Sequence, residues 1–523
     1  MEIVQTISKY RVNIVEEEMK NKIGKEKLTE VIEAKWFHIA IIVLASIFIL
    51  IGAFHTEVWF DEAYTMALVR HDFGEIIRID TGDVHPVLYY LILKAFTLVF
   101  GNSILTCRIF SAIAAIALGV LGFTHIRKDF GAKVGLSFTF LIFFLPYMAQ
   151  YVMEIRMYSW TMLFVALTAI YAYRISKDNK LKNWALFAIF SLGAAHCHYY
   201  GLVTVAIING LLLLYILFSK KLYENSDKTK KNYIIPFAIT AIVQILGYLP
   251  WLFIFLQQAT SVSKGYWISL SWGETVATPL VIQFYGKISI QTATVYALIM
   301  YAYLIYQIIC SKRQKQKNGV LYLCLAVHFI LYFSMLIISL LIKPIMYHRY
   351  MLVTIGLFVF PFAYYLTYTP TKHQKVITAI VVVFILGMGI YNNCLTIRDN
   401  YGSENGKEIA YIKEQYTEGS MILYKDVYHG TDIQVQMPEY NWYLYNIDEK
   451  HDLKPFENFS PPLKIVFDEQ TLADYHGRII IIDHDDLGFY HELAQRYELK
   501  ELAKQYIRPN YRGISFNIIT VEK

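Results

Sequence analysis

From Lys35 to Leu395 the chain is a succession of apolar runs, each near the roughly 20 residues that an α-helix needs to cross hydrocarbon. No other feature constrains the fold as strongly. Inside a bilayer every backbone N–H and C=O must find its partner within the protein, so such a pattern folds as a bundle of membrane-crossing helices. A content of 56% hydrophobic and 17% charged residues agrees. The expected fold is mostly α, with about eleven spans at 36–56, 104–124, 134–151, 157–175, 183–199, 200–218, 233–256, 292–310, 319–341, 351–367 and 376–395.

Lysine and arginine cluster at 20–27, 127–128, 174–182, 220–231, 312–317 and 372–375. These are alternate loops, and cytoplasmic loops carry that excess. A cytoplasmic segment over 1–35 follows, holding a cytosolic helix or interfacial collar at 12–35. The first loop, 57–103, and the carboxy-terminal tail are then expected outside a plasma membrane. Two apolar stretches, 86–100 and 275–285, are too short to count as spans. Crossing at the first would invert every later loop, so it is expected to be a helix that lies at the outer interface or dips partway in.

Residues 396–523 change character, with 14 basic against 22 acidic side chains and a net charge of −8. That segment reads as a separate extracytoplasmic α/β domain, with strands at 421–424, 463–467, 478–483 and 514–521 and helices at 406–415 and 487–502. The preceding stretch, 36–395, is the membrane domain. Five scattered cysteines indicate neither a disulfide framework nor a zinc site.

The chemistry is sought in the first outer loop. Trp59-Phe60 is an aromatic pair of the kind that anchors at the headgroup level, and it places Asp61 and Glu62 just above the hydrocarbon. Asp83 and His85 precede Pro86 in the same loop. Together they supply candidates for a general base and for holding a hydroxyl-rich substrate; the competing reading is an acid-favouring helix start and an Asp-rich turn. Arg156, within Glu154-Ile155-Arg156-Met157-Tyr158, opens a span on the outer side against the positive-inside bias. Its fork suits a phosphate, with a salt bridge to Glu154 as the rival. Lys343, His348 and Arg349, beside Tyr347 and Tyr350, form a second basic group on that side, suited to a lipid phosphate. His196 and His198 at spacing i, i+2 share no helix face and read as interface packing rather than a metal pair.

The chain resembles the polyprenyl-phosphate-sugar-dependent membrane glycosyltransferases of the GT-C class, in the branch of protein O-mannosyltransferases and lipid A aminoarabinose transferases. The residues that carry the likeness run in order: Trp59 to Tyr64, Asp83 to Pro86 with Leu88-Tyr89-Tyr90, Arg108, Glu154 to Tyr158, His198-Tyr199, Tyr248-Leu249-Pro250-Trp251 and Arg349-Tyr350. The resemblance implies an outward-facing site that inverts a sugar's anomeric carbon as it moves from a polyprenyl-phosphate donor to a cell-surface glycan, lipid or protein. It gives Asp61 the role of base with Glu62 beside it. It also gives Arg156 and Arg349 the donor phosphate, together with Arg108, His348 and Tyr158 around them. Protein mannosyltransferases favour a second proline and a Gly-Lys after the His-Pro, where this chain has Val87 and Tyr89-Tyr90, which weakens the case for a protein acceptor. No metal or cofactor is required, although Asp61, Glu62 and Asp83 could bind a divalent cation. No nucleic-acid partner is expected. The rivals are a flippase of lipid-linked saccharide and a surface glycan-binding protein that uses Tyr440-Asn441-Trp442-Tyr443 of the tail.

Overall fold

The computed structural model describes residues 27, 29–219, 222, 229–264, 268–316, 319–425, 427–445, 454–458, 464–466, 469–508 and 515–523. Most of the expected segment 12–35 lies outside these residues. Among those described, eight helices are long and apolar enough to cross a membrane: Lys35–Phe54, Ile104–Phe130, Tyr199–Phe218, Lys230–Val262, Ile290–Arg313, Gly319–Leu341, His348–Thr367 and Lys372–Asn400. The protein is a multi-pass membrane protein.

Three further expected spans are helices of another kind. Ala132–Phe144 has only 13 residues, because Leu145 is extended before Pro146 and a short helix, Tyr147–Tyr151, follows. Tyr158–Lys177 and Leu181–Cys197 carry more polar side chains, among them the buried Ser159, Thr161, Thr168 and Ser191. A helix enclosed by other helices need not be apolar all round. The centre of the bundle is formed by Tyr158–Lys177 and by His348–Thr367, of whose apolar window 83% is buried.

Close approach of small residues draws the early helices together. A Cβ on Gly122 would sit 2.5 Å from the Gly135 carbonyl and 2.2 Å from Thr139 Oγ1. Thr139 donates to the Gly119 carbonyl at 2.8 Å and lies 2.8 Å from His38 Nε2 of the first span. Leu88–Phe100 is an amphipathic helix that buries Tyr89, Tyr90 and Leu93 and exposes Leu98, Val99 and Phe100 at its end. This form suits a helix at the interface. Residues 272–284 form short turns, as their length required.

The tail contains a six-stranded sheet in the order β3-β2-β1-β4-β6-β5, with β1 Met421–Tyr424, β2 Trp442–Tyr445, β3 Lys464–Val466, β4 Arg478–Asp483, β5 Lys500–Ile507 and β6 Phe516–Glu522. Strands β1 to β4 are parallel and β6 pairs antiparallel with β4 and β5. Two strands differ from the sequence reading. The 487–502 helix ends at Tyr497, and β5 begins at Lys500 as an edge strand whose charged Lys500, Glu501 and Lys504 are exposed. The 440–443 aromatic stretch opens β2: Trp442 is fully buried and donates to the Met437 carbonyl at 2.8 Å, so it is core and not a glycan platform.

The tail is seated on the first loop. Its helix Val427–Gln434 and turn Lys454–Asn458 pack against the helix Phe60–Leu68. Arg70 Nη2 donates to the Val435 carbonyl at 3.4 Å, and His71 Nε2 lies 3.1 Å from the Pro455 carbonyl. Loop and tail therefore occupy the same side of the membrane.

Candidate functional site

The helix Phe60–Leu68 starts where the extended Trp59 leaves the chain coming from the first span. Asp61 and Glu62, adjacent in its first turn, point to different surroundings. Glu62 is fully buried: one oxygen accepts from Ile155 N at 3.1 Å, the other accepts from Trp59 N at 3.4 Å and lies 3.9 Å from Arg108 Nη2. It ties the helix start to the 152–157 turn. Asp61 faces two guanidinium groups instead. Its Oδ2 accepts from Arg349 Nη2 at 3.0 Å and is 4.0 Å from Arg156 Nε.

Both arginines are held by what surrounds them. Arg156 Nη1 donates to Tyr90 OH at 3.1 Å, to Thr65 Oγ1 at 3.3 Å and to the Asp61 carbonyl at 3.4 Å. The Arg349 guanidinium lies over the rings of Trp59 and Tyr347 at 5.0 Å and of Tyr158 at 5.7 Å. Two buried cations thus converge on one carboxylate, and the Nε of each has no hydrogen-bond partner. The excess charge and the unused donors fit an anion with several oxygens.

Beneath this pair lies a group of buried polar atoms that also lack partners: Tyr158 OH, His198 Nε2, His85 Nδ1 and both carboxylate oxygens of Asp80. His85 packs edge-on against His198 at 5.5 Å between ring centres, and His198 packs on Tyr350 at 4.9 Å. His198 Nδ1 accepts from Tyr200 N at 3.0 Å, which leaves the hydrogen on Nε2. Asp83 Oδ2 approaches His85 Nδ1 at 3.8 Å. Burial, and then the nearby Asp83, hold the Asp80 carboxyl above the usual range, with Arg156 acting in the opposite sense. Burial, and then Arg156, His198 and Arg349, hold the His85 imidazole well below its usual range. Unsatisfied buried groups cost ~1–3 kcal/mol each, so their concentration at one place marks where a polar ligand or water belongs.

Of the residues singled out in the sequence, Asp61, Asp83, His85, Arg156, Arg349 and Tyr158 come together here. Glu62 lies behind them. Arg108 is placed elsewhere: fully buried, it donates to the carbonyls of His55 and Glu57 and stands beside Glu62, a setting that fixes the loop and leaves no fork for a phosphate. His348 turns outward to Glu274, with Nδ1 3.1 Å from Oε2. The Arg156–Glu154 salt bridge weighed from sequence is not the contact formed; Arg156 takes Asp61. Asp80 was missed, although it stands three residues before Asp83, and His198 was read as packing. The strut beneath Asp80 was missed too: Gln258 Nε2 donates to the Asp80 carbonyl at 2.9 Å while its Oε1 accepts from Tyr199 OH. Among the described residues no group of three or more His, Cys, Asp or Glu side chains could hold a metal ion.

A family model described as dolichyl-phosphate-mannose-protein mannosyltransferase matches residues 84–253. Among solved structures the chain is similar to ArnT from Cupriavidus metallidurans bound to undecaprenyl phosphate, with 12% identity, a TM-score of 0.56 and coverage of 93% of this chain and 98% of that one. The chain has the fold of ArnT. The apo form of the same ArnT aligns similarly, with 12% identity, a TM-score of 0.54 and coverage of 92% and 97%. No curated protein sequence matches the chain. The match to ArnT includes the tail as well as the bundle, and the family model spans the segment that carries His85, Arg156 and His198.

Proposed function

We propose that this protein is an inverting glycosyltransferase that moves a sugar from a polyprenyl-phosphate donor to a hydroxyl acceptor at the outer face of the plasma membrane. The observation that carries the reading is the Asp61–Arg156–Arg349 arrangement, a carboxylate held between two buried guanidiniums that retain unused donors.

In the free protein Asp61 is paired with both arginines. The donor phosphate competes for both arginines on binding, and the carboxylate is released toward the acceptor. The acceptor oxygen attacks the anomeric carbon from the face opposite the phosphate, and its proton passes to an Asp61 oxygen. The bond from the anomeric carbon to the phosphate oxygen breaks with its electron pair, and the arginines stabilise the charge that gathers on the departing polyprenyl phosphate. Asp80, His85, His198 and Tyr158 add a mixture of unpartnered donors and acceptors near the arginines, as a sugar's hydroxyls require. A single displacement inverts the configuration. A pentose and a hexose are both compatible with this site, and so are glycan, lipid and protein acceptors. Nothing in the fold or the family match favours the flippase reading.

The test uses purified protein and two probes, undecaprenyl phosphate and undecaprenol. Saturable binding of the phosphate and none of the alcohol is expected, together with release of undecaprenyl phosphate from labelled undecaprenyl-phosphate sugars when acceptor is supplied. Equal binding of the two lipids would reject the reading.

A further inference from the structure

A cavity of about 560 Å³ lies at the end of the bundle away from Asp61, bordered by the helices Tyr158–Lys177, Tyr199–Phe218, Gly319–Leu341 and His348–Thr367. Its inner end is where two of these helices touch: a Cβ on Gly356 would sit 2.9 Å from the Ala166 Cβ. From there outward small side chains leave room. Ala166, Ala169 and Ala172 all line the space, three residues apart along one side of their helix, and Leu212, Val327, Leu357 and Phe360 face them. Leu323 also lines it and is 40% exposed, so the cavity opens sideways to hydrocarbon as well as at the membrane surface.

Polar groups gather at the mouth, where Asp129, Tyr173, Ser176 and Lys177 border the outer end. Their charges are not balanced. Asp129 accepts from Arg174 Nε at 2.9 Å, and Asp178 is taken by Lys180 at 2.5 Å. The exposed Lys177 ammonium forms no ion pair among the described residues and lies 5.3 Å from the centre of the Tyr173 ring. One positive charge is left over. Eleven residues separate Ala166 from Lys177, roughly 16 Å of helix. One leaflet contributes ~15 Å of hydrocarbon to a bilayer. The cavity thus has the depth of a single leaflet, with its free cation at the level of the headgroups.

We propose that this cavity binds one anionic phospholipid from the leaflet opposite the Asp61 site, with an acyl chain among the alanines and the phosphate at Lys177. The occupant is a lipid because the side opening meets only hydrocarbon, and it is anionic because a headgroup of no net charge leaves Lys177 unmatched. The donor's own tail is poorly placed to enter. Tyr158, at the site, lies roughly 28 Å from Lys177 along the same helix, on the far side of the Gly356–Ala166 contact. The lipid acts as a spacer. It fixes the separation of Tyr158–Lys177 and His348–Thr367, the two helices whose other ends carry Tyr158 and Arg349. This inference does not rest on the glycosyl-transfer reading.

The experiment offers delipidated full-length protein in detergent equal amounts of dioleoyl-phosphatidylglycerol and dioleoyl-phosphatidylcholine, with undecaprenyl phosphate as a third probe, and counts bound lipid by native mass spectrometry. Wild type is expected to retain one phosphatidylglycerol at least about fivefold more than phosphatidylcholine, the effect of one basic side chain beside an anionic headgroup. Lys177→Ala should bring the two within about twofold. Ala169→Phe, which fills the cavity, should lower retention of both phospholipids about tenfold and leave undecaprenyl phosphate binding unchanged. Leu211→Trp fills it from another wall should Ala169→Phe fold poorly. Equal retention of the two phospholipids by wild type would overturn the proposal, and so would an unchanged preference in Lys177→Ala or undiminished retention in the filled variants. Displacement of phosphatidylglycerol by undecaprenyl phosphate would overturn it too, by giving the cavity to the polyprenyl tail.

Discussion

Asp61→Asn preserves the size of the side chain and removes both its charge and its capacity to take a proton. Two guanidiniums close on that carboxylate, at 3.0 and 4.0 Å. With an effective dielectric of ~20 these separations correspond to roughly 5.5 and 4 kcal/mol of gross attraction. The desolvation of the partners and the 22% exposure of the Asp61 side chain reduce the net to about 1–3 kcal/mol. The substitution should therefore cost stability as well as about 10²–10⁴-fold in turnover, the usual effect of losing a general base. The two losses can be separated. Adding Arg349→Gln returns the site to its original net charge of one positive, so the stability loss of the double variant should fall short of the sum of the single losses by about 1–3 kcal/mol. Turnover should stay at the floor. Thermal unfolding and release of labelled undecaprenyl phosphate, measured on wild type, both single variants and the double variant, form the complete cycle. Stability losses that add to within ~0.5 kcal/mol would mean that the ion pair contributes nothing. Recovered turnover in the double variant would remove Asp61 from the role of base.

The remaining predictions contrast parts that look alike in sequence. Arg156→Ala should lower kcat/KM for the lipid donor about 10–100-fold, the worth of a charged hydrogen bond, while Arg108→Ala should destabilise the protein by about 3–5 kcal/mol by removing the cation beside buried Glu62 and the donors to the His55 and Glu57 carbonyls, with donor KM unchanged in the folded fraction. Donor titration and thermal unfolding of the two variants distinguish these effects, and a shifted donor KM in Arg108→Ala would refute the assignment. Truncation after Asn400 should abolish turnover and lower the unfolding temperature, because it strips Val427–Gln434 and Lys454–Asn458 from the helix that carries Asp61. A truncated protein with wild-type turnover would show that the tail gives the site no support.

The bundle was legible because hydrocarbon imposes its rule locally, residue after residue, and the first loop stood out because acids beside an aromatic anchor are costly there. What could not be read was direction and distance. Asp61 and Glu62 are equivalent in the sequence, and only the helix turn between them sends one to the arginines and the other into the interior. Arg108 and Arg156 both stand in apolar surroundings; their difference lies in carbonyls at His55 and Glu57, about fifty residues away in the chain. Asp80 resembles any acid at a helix end until Gln258 is brought beneath it. The break after Phe144 had a signal in Pro146, which the length of the apolar run concealed. Strand β5 had none, since Lys500-Glu501-Leu502-Ala503-Lys504 carries the composition of a surface helix and is an edge strand only because β6 is there to pair with it.

The seat of the tail on the helix Phe60–Leu68 sets an order of assembly. During synthesis Asp61 is among the first parts of the site to be made, yet Val435 and Pro455, which receive Arg70 and His71 at the end of that helix, follow them by 365 and 384 residues. Every crossing must be threaded and the sheet closed before the helix gains its support. An interrupted or misthreaded chain therefore presents the acid without the frame that aims it. A segment far along the chain thus serves as the check that the crossings before it have been built.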